Sequence, residues 1–265
     1  MKKRRLPDPG ILVEDGAVIV IRKPGGLLTQ APPGIDSLEL RVKQFLKERD
    51  QKQGEVYLGV PHRLDRPVSG VMVVVKNVRA ANRISEQIRE RTVNKTYWAL
   101  VAGSPAEPEG TWTDWMRKLP DEAKSEIVEE DHPDAKQAKL VYRTLAEKKI
   151  SIPGDEPQTS DPILFSLLEI RLETGRTHQI RLQCSARGLP IVGDSQYSSE
   201  ISFGPQVIDF RKRWIGLHAR ELGFTHPIGK YPIDVQAPLF RHWLPYQSLL
   251  STHLNEDDFA MESLD

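Results

Sequence analysis

The chain has a single cysteine, Cys184, in 265 residues. That scarcity excludes an internal disulfide and a cysteine-rich zinc site, and it agrees with a reducing compartment. No apolar run approaches the roughly eighteen residues that a membrane span needs. The start, Met1-Lys2-Lys3-Arg4-Arg5-Leu6-Pro7, lacks the apolar segment of a signal peptide. A cytoplasmic, water-soluble protein is therefore expected. The seven histidines have no metal-ligand spacing: His62, His178, His218 and His226 fall in no H-x-x-x-H or H-E-x-x-H pattern, so no metal is expected. Ser69 precedes Gly70 outside any G-x-S-x-G elbow, which argues against a serine hydrolase. Fixed-period repeats and low-complexity tracts are also missing. Net charge is absent too, because 37 Lys and Arg balance 37 Asp and Glu, a mild footprint for a polyanion binder. The balance is uneven along the chain. Residues 251–265 hold Glu256, Asp257, Asp258, Glu262 and Asp265 with no Lys or Arg, and a second acidic block runs from Asp121 to Asp134. Lys and Arg gather in residues 1–5, 79–95 and 171–187, and local potential is what governs phosphate contact.

What is present reads as short strands and helices in alternation. Residues 11–22 flank Asp15-Gly16, a hairpin turn signal. Asp36 with Glu39 resembles a capping box, opening a helix that buries Leu38, Val42, Phe45 and Leu46 and ends near Asp50. The run Val71 to Val75 predicts a buried strand. Asn77 is suited to cap a helix with Ala81, Ile84 and Ile88 inside. The other face of that helix carries Arg79 and Arg83, followed by Arg89 and Arg91, which suits either ion pairs with Glu86 and Glu90 or contact with a polyanion. Residues 93–102 alternate as a strand, with Tyr97 and Ala99 on one face and Trp98 and Leu100 on the other. Strands are expected near 111–116, 138–145 and 163–172, separated by surface excursions at 121–134 and around residue 155. A turn at Thr174-Gly175, a helix over 177–186 with Gly188 past its end, and closing strands near 217–224 and 232–235 complete the chain.

The stretch with the clearest chemistry is Pro61-His62-Arg63-Leu64-Asp65-Arg66-Pro67-Val68-Ser69-Gly70. Proline at both shoulders and a terminal glycine disfavour helix and leave a rigid loop. Arg63 and Arg66 beside Asp65 favour the ionised carboxylate, hence a nucleophile or base more than an acid. By itself such a string more often marks a surface aspartate between two solvated arginines.

HRLDRPVSG resembles the H-R-L-D-x-x-T-S-G signature of RluA-type pseudouridine synthases. Further segments are similar to the same family in the same order. They are Ile11 to Leu27 with Lys23-Pro24-Gly25-Gly26-Leu27, Asn94-Lys95-Thr96-Tyr97, Leu172 to Arg181 with Pro190-Ile191-Val192-Gly193-Asp194, and Leu217-His218-Ala219 with Phe224-Thr225-His226-Pro227. The match lapses between Ser104 and Asp161, and Val68 stands where the family usually has threonine.

The resemblance implies an α+β fold with a mainly antiparallel, bent central sheet, flanking helices and a central catalytic cleft. It implies a catalytic domain over residues 11–250, between a basic extension at 1–10 and an acidic tail at 251–265. The extra RNA-binding module found in many relatives is not expected before residue 11. The implied activity is isomerisation of uridine in structured RNA, ribosomal or transfer, with no cofactor, no obligate protein partner and a monomeric state. The implied reacting carboxylate is Asp65, with Tyr97 against the uracil and Arg181 ion-paired with Asp65. Arg63 would fill the space left by the extruded base, Arg176 would contact phosphate, and the histidines would close turns through ring hydrogen bonds. The rival expectation is an RNA-binding or assembly factor on the same scaffold, without chemistry.

Overall fold

The Asp15-Gly16 turn does join two strands in the computed structural model of the protein, which describes residues 9–151, 161–204, 207–254 and 258–259. Strand β1 (Ile11–Asp15) pairs antiparallel with β2 (Val18–Lys23), and β2 pairs antiparallel with β3 (Ser69–Val75). Val18 to Ile21 and Val71 to Val75 are buried at every position, so these strands are covered on both faces. Helix α1 (Leu38–Arg49) buries Leu38, Val42 and Leu46. Its cap is Ser37, whose hydroxyl accepts from the Leu40 N–H at 3.2 Å, and not the expected Asp36. The carboxylate of Asp36 is instead occupied by Arg41, at 3.0 and 2.6 Å.

Helix α2 (Val78–Arg89) packs on β3 and starts where expected, with Asn77 Oδ1 accepting from the Ala80 N–H at 2.8 Å. Its buried stripe runs through Ala80 and Ile84, one position off the expected Ala81. Strands β9 (Leu217–Thr225) and β10 (Pro232–Gln236) pair antiparallel, and β9 lies next to β3. The approach is close at Gly70, whose φ of +124° is left-handed and whose missing Cβ would collide with the Ala219 backbone.

The chain forms two compact units. The first comprises Met1–Lys95, Asp209–Lys212 and Ala219–Pro238, and the second comprises Thr96–Ile208, Arg213–His218 and Leu239–Asp265. In the second, β4 (Asn94–Ala102), β5 (Glu109–Lys118), β6 (Ser125–Val128), β7 (Lys136–Ile150) and β8 (Ile163–Leu172) run in the order β4-β8-β7-β5-β6, each antiparallel to its neighbour. Trp98, Leu100, Phe165, Leu167, Trp243 and Tyr246 form its core.

Helix α3 (Gln179–Ser185) is shorter than the expected 177–186 because His178 takes left-handed backbone, φ 55°, and the helix starts two residues later. Gly188 follows at φ +70°, and α4 (Gln247–Leu250) packs on β7 and β8. The 121–134 excursion is a surface loop only in part. Its residues Ser125–Val128 are β6, and Ser125 is buried because its N–H and hydroxyl are bonded to the segments around α3. The excursion around residue 155, residues 1–8 of the basic extension and most of the acidic tail lie outside the described residues. Within that tail Asp258 is buried, and its carbonyl accepts from the Leu239 N–H at 2.7 Å.

Candidate active site

Asp65 occupies the loop before β3, half-buried, and the loop is fixed on either side of it. The Thr29 hydroxyl donates to the Leu64 carbonyl at 2.8 Å and accepts from the Leu64 N–H at 3.2 Å. On the other side Lys23 Nζ donates to the Arg66 carbonyl at 3.2 Å, and also to Pro24 and Leu27 carbonyls at 2.9 and 2.7 Å. Lys23 is fully buried; burial lowers its ammonium to about 7, the Asp65 carboxylate opposing that fall and Arg66 adding to it. Farther back, His62 Nε2 accepts from the Val73 N–H at 2.9 Å. Burial, reinforced by the charge on Lys95, pushes the imidazole down to about 3, so the ring is neutral at pH 7 and carries its proton on Nδ1. His226 accepts through Nδ1 from the N–H groups of Ile228 and Gly229 at 3.2 and 2.7 Å. His226 thus closes its turn through the ring, as the resemblance implied, whereas His62 ties its loop to β3. Arg63 is exposed in the same loop.

Tyr97, Arg176 and Arg181 belong to the second unit. Tyr97 is buried on β4, opposite Ile170 of β8. Arg181 is buried on α3, and its carboxylate partner within the unit is Asp194: Nε and Nη2 donate to the two oxygens at 2.6 and 2.8 Å, the fork geometry of a strong pair. Gln196 Oε1 accepts from Nη2 at 2.9 Å, and the Tyr197 ring lies under the guanidinium with its centroid 5.0 Å from Cζ. Helix α3 is fastened to β5, since Gln183 Nε2 donates to Asp114 Oδ2 at 2.6 Å. Arg187, just beyond the helix, stacks over Trp112. Cys184 is buried in α3, and burial pushes its thiol up to about 12, which keeps it protonated. Arg176 is exposed but tethered, its Nε donating to the Gln137 carbonyl at 2.9 Å. On α2, Arg83 donates to the Pro227 carbonyl at 2.5 Å, whereas Arg89 and Glu86 stand 3.5 Å apart, both exposed.

Sequence reasoning placed Lys23 and Asp194 in segments resembling the family but gave neither a role, and it missed Thr29, Gln196 and Tyr197. A buried lysine or aspartate looks like a surface one until its neighbours are known.

Residues 17–186 match the family described as RNA pseudouridylate synthase. The chain belongs to that family. Ribosomal large subunit pseudouridine synthase D of Xanthomonas campestris pv. campestris is 33% identical to it over 238 residues, covering 86% of this chain and 65% of that relative. tRNA pseudouridine synthase C of Vibrio cholerae is 28% identical over 241 residues, covering 91% and 94%. Among solved structures, human RNA pseudouridylate synthase domain containing 4 superposes with a TM-score of 0.69 at 25% identity, over 91% of this chain and 93% of that one. The expected α+β, mainly antiparallel fold of a pseudouridine synthase is thus the fold observed. The chain spans about two thirds of the length of the first relatives it matches.

Proposed function

We propose that this protein isomerises uridine to pseudouridine in structured RNA, ribosomal or transfer, with Asp65 as the reacting carboxylate. The observation that carries the reading is the bracing of the HRLD loop, in which buried donors hold the backbone immediately before and after Asp65. A group that must meet one sugar carbon gains most from such fixing, because small misplacements are costly in rate.

The reaction breaks the bond between N1 of uracil and C1′ of ribose and forms one between C5 and C1′. Two routes suit a single carboxylate. In one, an Asp65 oxygen attacks C1′ and uracil leaves with the bonding pair. The base turns, C5 attacks C1′, the carboxylate departs, and the proton on C5 is lost while N1 regains one. In the other, Asp65 removes the C2′ proton as uracil leaves C1′ with the N1–C1′ bonding pair, giving a glycal; C5 of the turned base then attacks C1′ as C2′ is reprotonated, and the proton on C5 is lost while N1 regains one. Both return the enzyme unchanged and call for no oxidant or cofactor. Tyr97 supplies a ring for the uracil and a hydroxyl for the C5 proton. Arg181 supplies the counter-charge for the Asp65 carboxylate. Reaching the sugar requires extruding the nucleotide, whose place in the stack the planar guanidinium of Arg63 suits, with Arg176 directed to phosphate. The proposed setting is the cytoplasm and the proposed state a monomer.

Incubation with bulk RNA followed by nucleoside analysis tests the reading. The unaltered protein yields pseudouridine and Asp65→Ala yields at least about a thousandfold less, the scale on which loss of a nucleophile is felt. Equal yields from the two proteins would reassign the chemistry. RNA binding with no pseudouridine from either would favour the assembly-factor reading. Mapping pseudouridine at nucleotide resolution, with and without the gene, identifies the RNA.

A further inference from the structure

The support of Arg181 extends beyond the segments that resemble the family's signatures. Gln196 accepts from Arg181 Nη2 at 2.9 Å through Oε1, while its own amide nitrogen donates to the Ala123 carbonyl, also at 2.9 Å. Tyr197 lies under the guanidinium with its ring. The hydroxyl of that tyrosine accepts from the Ser125 N–H at 2.9 Å and stands 2.9 Å from Nδ1 of His178, the residue immediately before α3. The Ser125 hydroxyl donates to the Thr177 carbonyl at 2.9 Å. Ala123 is in the turn between β5 and β6, and Ser125 is the first residue of β6. Two side chains therefore touch Arg181 at one end and the β5–β6 hairpin at the other. A carboxylate fork fixes the plane of a guanidinium, and a ring beneath it with a lateral acceptor limits how far that plane can slide.

We propose that the β5–β6 hairpin is a positioning element for the reaction, setting the place of Arg181 through Gln196 and Tyr197. The kinetic part of this inference rests on the proposed isomerase reading. Neither side chain is asked to touch RNA. The hairpin carries none of the signature segments, so the same arginine can be adjusted here without change to them.

The variants are Gln196→Ala, which removes both of its bonds, and Tyr197→Phe, which keeps the ring and deletes only the hydroxyl. On an RNA carrying the modified uridine, kcat falls about tenfold for the first and about threefold for the second, with KM within twofold, since a displacement of about 1 Å costs up to 10²-fold in rate. On an Arg181→Lys background neither substitution lowers kcat further, because the group they act through is gone. Unchanged kcat in variants shown to be folded by circular dichroism, an effect on KM alone, or equal losses on both backgrounds would each overturn the proposal. Solvent exchange of the Arg181 Nε–H by NMR gives a readout that needs no activity. Exchange at least tenfold faster in Gln196→Ala supports the hairpin's hold on the guanidinium, and unchanged exchange refutes it. If the unaltered protein makes no pseudouridine, the isomerase reading falls and this second measurement still decides whether the hairpin holds Arg181.

Discussion

Truncating Asp194 should destabilise the fold out of proportion to the atoms removed. The Arg181 and Asp194 side chains retain only 4% and 2% of their exposure, so Asp194→Ala takes from an interior guanidinium the carboxylate that grips it as a fork. Gln196 and Tyr197 remain beside it, but their dipoles do not replace the two-point grip of that carboxylate. Breaking a buried pair from one side costs about 3–5 kcal/mol, much of it the penalty of keeping a charge in the interior with less to compensate it. For a chain of this size that is a fall in Tm of roughly 10 °C. Removing both side chains differs in kind: with Arg181→Met and Asp194→Leu neither member of this pair is left buried without the other, and apolar replacement of a buried pair is often neutral or better. The double variant should therefore be within about 2 kcal/mol of the unaltered protein and more stable than Asp194→Ala. Urea unfolding followed by far-UV circular dichroism gives the free energies, with the slope checked for constancy across the three proteins. A loss below about 1 kcal/mol for Asp194→Ala would refute the reasoning by showing that the guanidinium is compensated without Asp194, and a double variant less stable than the single one would refute it by showing that the pair contributes more than an apolar replacement can.

Gly70→Ala forces a Cβ into the Ala219 backbone and an L side chain into left-handed φ, so it should cost about 2 kcal/mol or more in urea unfolding, whereas Gly175→Ala, with open space around it, should cost far less. His62 titrates near 6.5 when unfolded and at about 3 when folded, so the unfolded chain binds the extra proton between those values and stability falls with pH. From pH 7 to pH 5 this residue should account for about 2 kcal/mol of lost stability, and His62→Gln should flatten the profile by that amount in the same window; an unchanged profile would mean that the ring is solvated.

Sequence alone determined the local grammar: the Asp15-Gly16 hairpin, the Asn77 cap of α2, the buried run of β3 and the strand over residues 163–172. Each depends on a few adjacent residues, on turn dipeptides and on the two-residue period of a strand, so each is written where it acts. The cap of α1 shows where that grammar stops. Asp36 and Ser37 are both good cap residues, and the choice between them follows from Arg41 engaging the aspartate. The Asp65 loop and the Arg181 helix could be picked out as motifs, but what holds them could not. Thr29 lies 35 residues from Leu64, Lys23 43 from Arg66, and Ser125 72 from Tyr197. No pattern of neighbours encodes such separations, because a buried polar group takes whichever partner the tertiary fold brings within hydrogen-bond reach, and leaving it unpartnered costs too much. The sequence therefore announced which side chains could do chemistry, and only the folded chain decided which ones keep them in place.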